Sequence, residues 1–398
     1  MGYIKAPFNH TMFMKKPRFG LLPRIIIAII LGVLLAHILP LPFLRLFATF
    51  NAIFGNLLQF LIPLIIFGLV TPAIADLGKG AGKLLLITAL IAYSSTVAAG
   101  LLSYATSVNI FPGLIESGTG QSLTETNASI DPYFSIQIPP LFDVMSALVL
   151  SFILGLGITG LNSTALKDVL SEFKSIITKT IERVIIPLLP LYIMGIFMSM
   201  TYSGQAARVI NVFIKIIVVI FIMHIGILLL QFVVAGLVSG KNPLKALKTM
   251  LPAYFTALGT SSSAATIPVT LQQVKKNGVD EEVAGFVVPL CANIHMSGSM
   301  LKIVACAVAL MLMQDKPFDL GMFSGFILML AIMMVASPGV PGGSIMAALG
   351  VLASMLGFNE ADQALMIALY ISMDNFGTAC NVTGDGAIAL VVNKIRKK

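Results

Sequence analysis

The sequence predicts an all-α polytopic membrane protein, on the basis of its composition, its recurring apolar runs and two interrupted apolar segments. Hydrophobic residues make up 57% and charged residues 11% of the 398 residues, and the mean hydropathy is +0.97. Soluble domains carry about 25% charged residues. The net charge of +8 is dispersed between apolar runs without stacking aromatic residues, which indicates membrane orientation rather than nucleic-acid binding.

Apolar runs long enough to cross a bilayer recur along the chain. They predict eight transmembrane helices. The predicted spans are residues 24–40, 47–76, 83–106, 141–162, 175–200, 208–238, 283–313 and 361–392.

Two further apolar segments are each interrupted by small residues and proline. Residues 249–274 are flanked by Lys248 and Lys275, which both favour the cytoplasmic side. Residues 322–357 are broken at 337–344 and flanked by acidic residues, which suit the outer side. The sequence therefore predicts two re-entrant helical hairpins of opposite orientation, and paired broken segments of this kind are typical of a transporter's binding site.

Basic residues orient the chain. Four precede the first span within residues 15–24, and four follow the last span within residues 394–398. Both the N-terminal arm, residues 1–23, and the basic tail, residues 394–398, are therefore predicted to be cytoplasmic. The acidic stretch 107–140 contains no Lys or Arg and is predicted to be external.

The last span carries two carboxylates, Asp374 and Asp385. A central charge costs about 2.5–3.5 kcal/mol on insertion scales, so such groups are kept where they face a cavity or bind a charged partner. The two residues lie eleven apart, about three helical turns, so one helix can present both on one stripe roughly 16 Å apart. This pattern predicts a pathway for a solute and a cation.

Four motifs together carry a resemblance to a known family. They are Ser261–Val269, Pro289–Ser299, Ser337–Ser344 and Asp374–Asp385, and Ile62–Val70 adds an early match. With these motifs in this order, the chain resembles the dicarboxylate/amino acid:cation symporters, the family of the excitatory amino-acid transporters. Residues 261–269 form the tip of the first predicted hairpin (the first tip), and residues 337–344 form the tip of the second (the second tip). The two alanines after the serine run of the first tip and the short second tip are most similar to the prokaryotic serine/threonine symporter branch.

The resemblance implies that Asp374 binds a substrate's amino group, with contacts from Thr378 and Asn381. Independently, a serine-rich tip exposes backbone N–H groups and helix N-termini, which attract an α-carboxylate. Ser262 and Ser263 are the candidates there. The complete predicted substrate-binding set is Ser262, Ser263, Ser299, Val340, Asp374, Gly377, Thr378 and Asn381.

Asp385 and Asn381 match positions that ligate sodium in the family, and hard cations prefer oxygen ligands. The predicted cation-binding set is Cys291, His295, Asn381 and Asp385. We expect sodium as the coupling ion, with the proton as the alternative. We expect no cofactor and no transition metal, because the three cysteines show no paired spacing.

Position 377 departs from the acidic-amino-acid carriers, which have an arginine three residues after the substrate aspartate. With glycine at position 377, a substrate's side-chain carboxylate lacks the bidentate partner that this arginine offers. The departure favours a small neutral amino acid such as serine, threonine or alanine. Lys302 in the facing span keeps an alternative open, because it can replace the arginine's charge and hold an acidic substrate or dicarboxylate. It can also simply pair with an aspartate.

The family's Asn-Met-Asp-Gly-Thr motif is His295-Met-Ser-Gly-Ser299 here. The aspartate that ligates an additional sodium ion has become Ser297, and Ser94 and Ser95 match hydroxyls near that ion only weakly. Imidazole titrates near physiological pH. Proton coupling through His295, or coupling to fewer sodium ions, is therefore the alternative to the full sodium stoichiometry.

An intramembrane protease and a channel are remote alternatives. The serine run lacks a Gly-x-Ser-x-Gly elbow, and a pore does not need a complete substrate constellation, so a transporter rather than an enzyme is predicted. From the resemblance we expect a homotrimer in a prokaryotic cytoplasmic membrane, with contacts from spans around 141–238. Residues 24–240 form the scaffold, except that the third span, 83–106, moves with the transport core, 241–393.

Overall fold

The computed structural model describes residues 20–78, 83–115, 130–161, 164–335, 337 and 341–397. All regular structure in these ranges is helical, as predicted. The helices are α1 (Leu21–Ile38), α2 (Leu41–Gly78), α3 (Lys83–Ile110), α4 (Val144–Leu161), α5 (Thr164–Thr180), α6 (Ile186–Tyr202), α7 (Ala206–Ser239), α8 (Pro243–Thr260), α9 (Ser263–Lys276), α10 (Glu281–Ile294), α11 (Ser297–Met313), α12 (Leu320–Val335), α13 (Gly343–Leu356), α14 (Glu360–Ser372) and α15 (Asp374–Arg396).

Seven helical segments of the described chain are long and apolar enough to cross a membrane. They are α1, α2, α3 with the short turn that follows it, α4, α5 with α6, α7, and α10 with α11. The first six predicted spans each coincide with one of these segments. The segment over 164–202 begins eleven residues before the predicted 175, because its first part is an amphipathic helix whose charged residues lower the mean hydropathy.

The two predicted interruptions occur where the small residues lie. The first separates α8 from α9 at Ser261, whose φ of 52° lies in the left-handed region, and at the extended Ser262. The second separates α12 from α13, and Gly342 with φ 76° precedes α13. Glycine adopts this conformation without steric cost.

Two further breaks correct the prediction, which treated 283–313 and 361–392 as uninterrupted spans. His295 is extended and separates α10 from α11, and Met373 separates α14 from α15. Each break exposes the first N–H groups of a new helix inside the protein. At the first of these breaks, the Gly298 N–H of α11 donates to the Asn381 side chain of α15.

The helices α11 and α15 form the centre of the molecule, and almost all of their residues are buried. Around them pack α3, α7, α8, α9 and α10. The outer helices α1, α2, α4, α5 and α6 pack mainly against one another. α7 belongs to the segment predicted as scaffold, yet it packs against α15, α8 and α11.

Candidate functional site

Asp374 is the first residue of α15 and is 6% exposed. Its two carboxylate oxygens have different partners: Oδ1 lies 3.3 Å from Lys302 Nζ, and Oδ2 accepts from the Gly342 backbone N–H at 2.8 Å. The Thr378 hydroxyl donates to the Asp374 carbonyl within the same helix at 3.0 Å. A carboxylate at a helix N-terminus is favoured by the helix dipole, and here it also joins α15 to α11 and to the second tip.

Lys302 is fully buried on α11, one turn after Ser299. Besides Asp374, its ammonium lies 3.4 Å from the Met373 carbonyl oxygen and 3.7 Å from the centroid of the Tyr370 ring. A Cβ added at Gly377 would come within 2.5 Å of Lys302 Cε and Nζ. Gly377 therefore makes the space through which Lys302 reaches Asp374. Of the roles left open for Lys302, the structure displays the pairing with an aspartate.

Asn381 closes the start of α11. Its Oδ1 accepts from the Gly298 N–H at 2.7 Å, and its Nδ2 donates to Ser299 Oγ at 3.2 Å. Ser299 Oγ is in turn 3.0 Å from the Tyr370 hydroxyl. This network satisfies a helix start that would otherwise be left unpaired in the interior.

The first tip reaches the start of α15. Ser261 Oγ donates to Asn375 Oδ1 at 2.6 Å, and Ser262 Oγ caps α9 by accepting from the Ala265 N–H at 3.3 Å. Ser263 is 7% exposed at the first position of α9. Asn375 was missed by the sequence reasoning, although an amide beside Asp374 within an apolar span was a signal that could have identified it.

The second tip contacts the Asp374 carboxylate through the Gly342 backbone N–H. Its two sides are joined by a hydrogen bond from Ser337 Oγ to Ser344 Oγ at 3.1 Å. Val340, the predicted contact at this tip, lies outside the described residues. The two tips therefore meet neighbouring residues of α15, Asp374 and Asn375.

Asp385 lies further along α15, where it pairs with His295. His295 Nδ1 is 2.9 Å from Asp385 Oδ1, and both side chains are buried. With Asp385 ionised and the imidazole neutral, the ring proton lies on Nδ1, and Nε2 accepts from Ser95 Oγ at 3.2 Å. Gln231 donates to Ser95 Oγ at 3.0 Å. Gln231, Ser95, His295 and Asp385 thus form one chain of hydrogen bonds.

Gln231 was also missed, although it is the single glutamine in the apolar stretch 208–238. Together with Ser94 and Ser95 it provides the polar lining of an otherwise apolar crevice of about 390 Å³ between α3, α7 and α15.

The predicted cation set is brought together only in part. His295 and Asp385 are hydrogen-bonded, whereas both side-chain ends of Asn381 are directed to α11. Cys291 is buried one turn before His295, whose N–H donates to the Cys291 carbonyl. Ser297, at the position of the family's additional aspartate, is fully buried at the start of α11.

Broken helices whose ends meet at buried charged side chains, within a bundle of membrane-length apolar helices, are typical of a helical membrane transporter. The chain belongs to the sodium:dicarboxylate symporter family, which it matches over residues 21–395. This confirms the resemblance inferred from the motifs. The family consists of symporters, in agreement with the prediction of a transporter rather than an enzyme.

Two kinds of relative are similar to the chain. The serine/threonine transporter SstT of Acinetobacter baylyi is 27% identical over 97% of this chain and 100% of its own length. Excitatory amino acid transporter 2 of Homo sapiens is 31% identical over 48% of this chain, and transporter 3 of Oryctolagus cuniculus is 34% identical over 41%. These two matches span 33% and 31% of the excitatory transporters' own lengths.

Proposed function

We propose that the protein is a secondary active transporter that carries a small neutral amino acid, such as serine, threonine or alanine, together with a cation. The observation that carries this proposal is the position of Asp374, where both tips and a buried ammonium converge on one helix start. A carboxylate that already holds a lysine ammonium has the charge and geometry to hold a substrate's amino group.

The substrate's α-carboxylate is assigned to the first tip. There α9 begins at Ser263, and its first N–H groups point toward the break at Ser261 and Ser262. Because the Ser261 hydroxyl contacts Asn375, this helix start lies next to Asp374. An amino acid bridging Asp374 and the tip has a partner for each of its two charges.

The substrate's side chain is assigned to the side of Gly377. No guanidinium is present at this position, so a side-chain carboxylate lacks the bidentate partner that arginine offers. The positive charge next to Gly377 is the Lys302 ammonium, which is paired with Asp374. A small neutral side chain is therefore favoured, as in the substrates named for SstT.

A second candidate is symport of an acidic amino acid or a dicarboxylate. The observation that favours it is that Lys302 Nζ occupies the space directly in front of Gly377. If the ammonium leaves Asp374 for a substrate carboxylate, it supplies the charge of the missing arginine from the facing helix.

Sodium is the proposed coupling ion, with Asp385 as its anionic ligand and His295, Cys291 and Asn381 as neighbours. Proton coupling is the alternative, and the observation that favours it is the direct His295–Asp385 hydrogen bond. A sodium ion that binds Asp385 Oδ1 has to displace the imidazole, because His295 Nδ1 is hydrogen-bonded to that oxygen.

Alternating access is proposed to move the transport core, residues 241–393, together with α3. The close packing of α3 on α11 supports including α3, and the packing of α7 on α15 supports adding α7 to the moving unit. The remaining early helices form the proposed scaffold of a homotrimer. The proposed location is the cytoplasmic membrane, with both termini cytoplasmic and the two broken segments re-entrant from opposite sides.

Uptake into proteoliposomes tests the proposal. We expect L-serine, L-threonine or L-alanine to accumulate under an inward sodium gradient, and Asp374→Asn to abolish the accumulation. Asn109→Asp, at the end of α3, serves as a control with an unrelated amide-to-acid change. Accumulation of aspartate, glutamate or succinate in preference to these solutes favours the second candidate, and uptake driven by a proton gradient alone moves the coupling role to His295.

A further inference from the structure

We propose that Lys302 is a built-in counter-ion of the empty carrier. Its ammonium occupies, at Asp374, the place of the substrate's amino group, so that Asp374 stays neutralised and the protein can reorient without cargo. This inference rests on the proposed function, because it assigns a role to Lys302 in the step of the transport cycle that carries no substrate.

The first observation is the double engagement of Asp374. One oxygen faces Lys302 Nζ, and the other accepts from Gly342 of the second tip. Asp374 is buried, and an isolated buried carboxylate is strongly disfavoured. An ionised Asp374 is therefore compatible with this burial because Lys302 neutralises it.

The second observation is that Lys302 has other partners beside Asp374. Its ammonium already contacts the face of the Tyr370 ring and the Met373 carbonyl. The ring is held in place, since the Tyr370 hydroxyl lies 3.0 Å from Ser299 Oγ. When a substrate's amino group takes Asp374, the ammonium shifts away from the carboxylate, and the Tyr370 ring and the Met373 carbonyl remain as its partners.

The charges at the site also balance in both states. In the empty site the positive charge of Lys302 and the negative charge of Asp374 cancel each other. A zwitterionic amino acid adds one positive and one negative charge, so the loaded site is neutral as well. Both the empty and the loaded site can thus be enclosed without a net buried charge. Gly377 makes this exchange feasible, because any larger residue would occupy the space of the Lys302 ammonium.

The test separates the return of the empty carrier from the movement of the loaded one. Net uptake of radiolabelled L-serine into serine-free proteoliposomes requires an empty return in every cycle, whereas exchange against internal L-serine does not. For Lys302→Met, which keeps a long unbranched side chain but removes its charge, we expect net uptake to fall at least about tenfold while exchange continues. Lys302→Arg keeps the charge and is expected to restore part of the net uptake.

Thermal melting gives an independent readout. L-serine is expected to raise the melting temperature of Lys302→Met by more than that of the unmodified protein, because the substrate's amino group supplies the missing charge. If Lys302→Met does not fold, Lys302→Gln is uncharged as well and is used with the same readouts.

Net uptake at the unmodified rate in the uncharged variant would overturn the inference, since the empty carrier then returns without the lysine. Loss of both exchange and net uptake in a folded variant would overturn it too, because Lys302 would then act in the loaded step. Failure of the unmodified protein to exchange L-serine is a different result, which contradicts the proposed substrate rather than the role of Lys302.

Discussion

At position 377 the absence of a Cβ leaves room for the Lys302 side chain, and through that space its ammonium reaches Asp374. The same absence removes the guanidinium of the acidic-amino-acid carriers. One residue therefore affects both the proposed side-chain preference and the partner of the substrate-binding carboxylate. The sequence predicted the first consequence. The sequence left the role of Lys302 open between replacing the arginine's charge, holding a substrate carboxylate and pairing with an aspartate. The reason is that the direction of a long lysine side chain depends on the space around it.

Gly377→Arg tests this residue directly. The introduced side chain displaces Lys302 and offers a bidentate partner to a carboxylate. We expect L-aspartate to become a competitor of L-serine uptake and serine uptake itself to fall at least about tenfold. Gly377→Ala fills the same space without a charge and is the matched control. Equal substrate preferences in both variants would show that the guanidinium, and hence its absence here, does not set the preference.

His295→Asn tests the proposed ion site. The imidazole occupies Asp385 Oδ1, so its replacement by a shorter amide frees the carboxylate for sodium. We expect half-maximal uptake at a lower sodium concentration. His37→Asn, in the exposed part of α1, is the control and is expected to leave the sodium dependence unchanged. A complete loss of uptake that a sodium gradient no longer stimulates would instead support a proton-coupling role of His295.

At the scale of the helices, local composition predicted two of the four interruptions. The first break lies in a serine run, and the second lies in residues 337–344, which are rich in proline and glycine. The breaks at His295 and Met373 were not predicted from local composition. The first is stabilised by a distant partner, because Asn381 accepts from the Gly298 N–H, which is 83 residues away in sequence. The sequence thus identified most polar residues of the site, but not Asn375, Gln231 or the long-range hydrogen bonds that hold the helix ends.

Ser262→Ala tests the proposed role of the first tip. Ser262 caps α9 and Asn242 caps α8, so loss of either cap is expected to cost about 1 kcal/mol of stability. Only Ser262 lies at the proposed α-carboxylate site. We therefore expect Ser262→Ala to weaken L-serine binding. Asn242→Ala is expected to lower the melting temperature but to leave L-serine binding unchanged. Equal binding of L-serine by both variants would show that the Ser262 hydroxyl is not part of the binding site.

At the scale of the whole molecule, buried charge is concentrated on α15 and its neighbours. Asp374 faces Lys302 near one end of the interior, and Asp385 faces His295 further along the same helix. The outer helices, together with α7, supply the apolar surface, with Leu161 on α4 and Leu237 on α7 more than four-fifths exposed. This separation into a charged interior and an apolar exterior is what a carrier in a bilayer requires. The all-helical architecture was therefore predictable from hydropathy, whereas the pairing of the four charged or titratable groups needed the structure.

The central claim is that Asp374 exchanges Lys302 for the amino group of a small neutral substrate. Calorimetric titration of the purified protein with L-serine and with glycerate, which carries a hydroxyl in place of the amino group, tests it most directly. We expect L-serine to bind at least about tenfold more tightly than glycerate, and Asp374→Asn to remove this difference. Equal binding of the two solutes, or serine binding that survives Asp374→Asn, would contradict the claim.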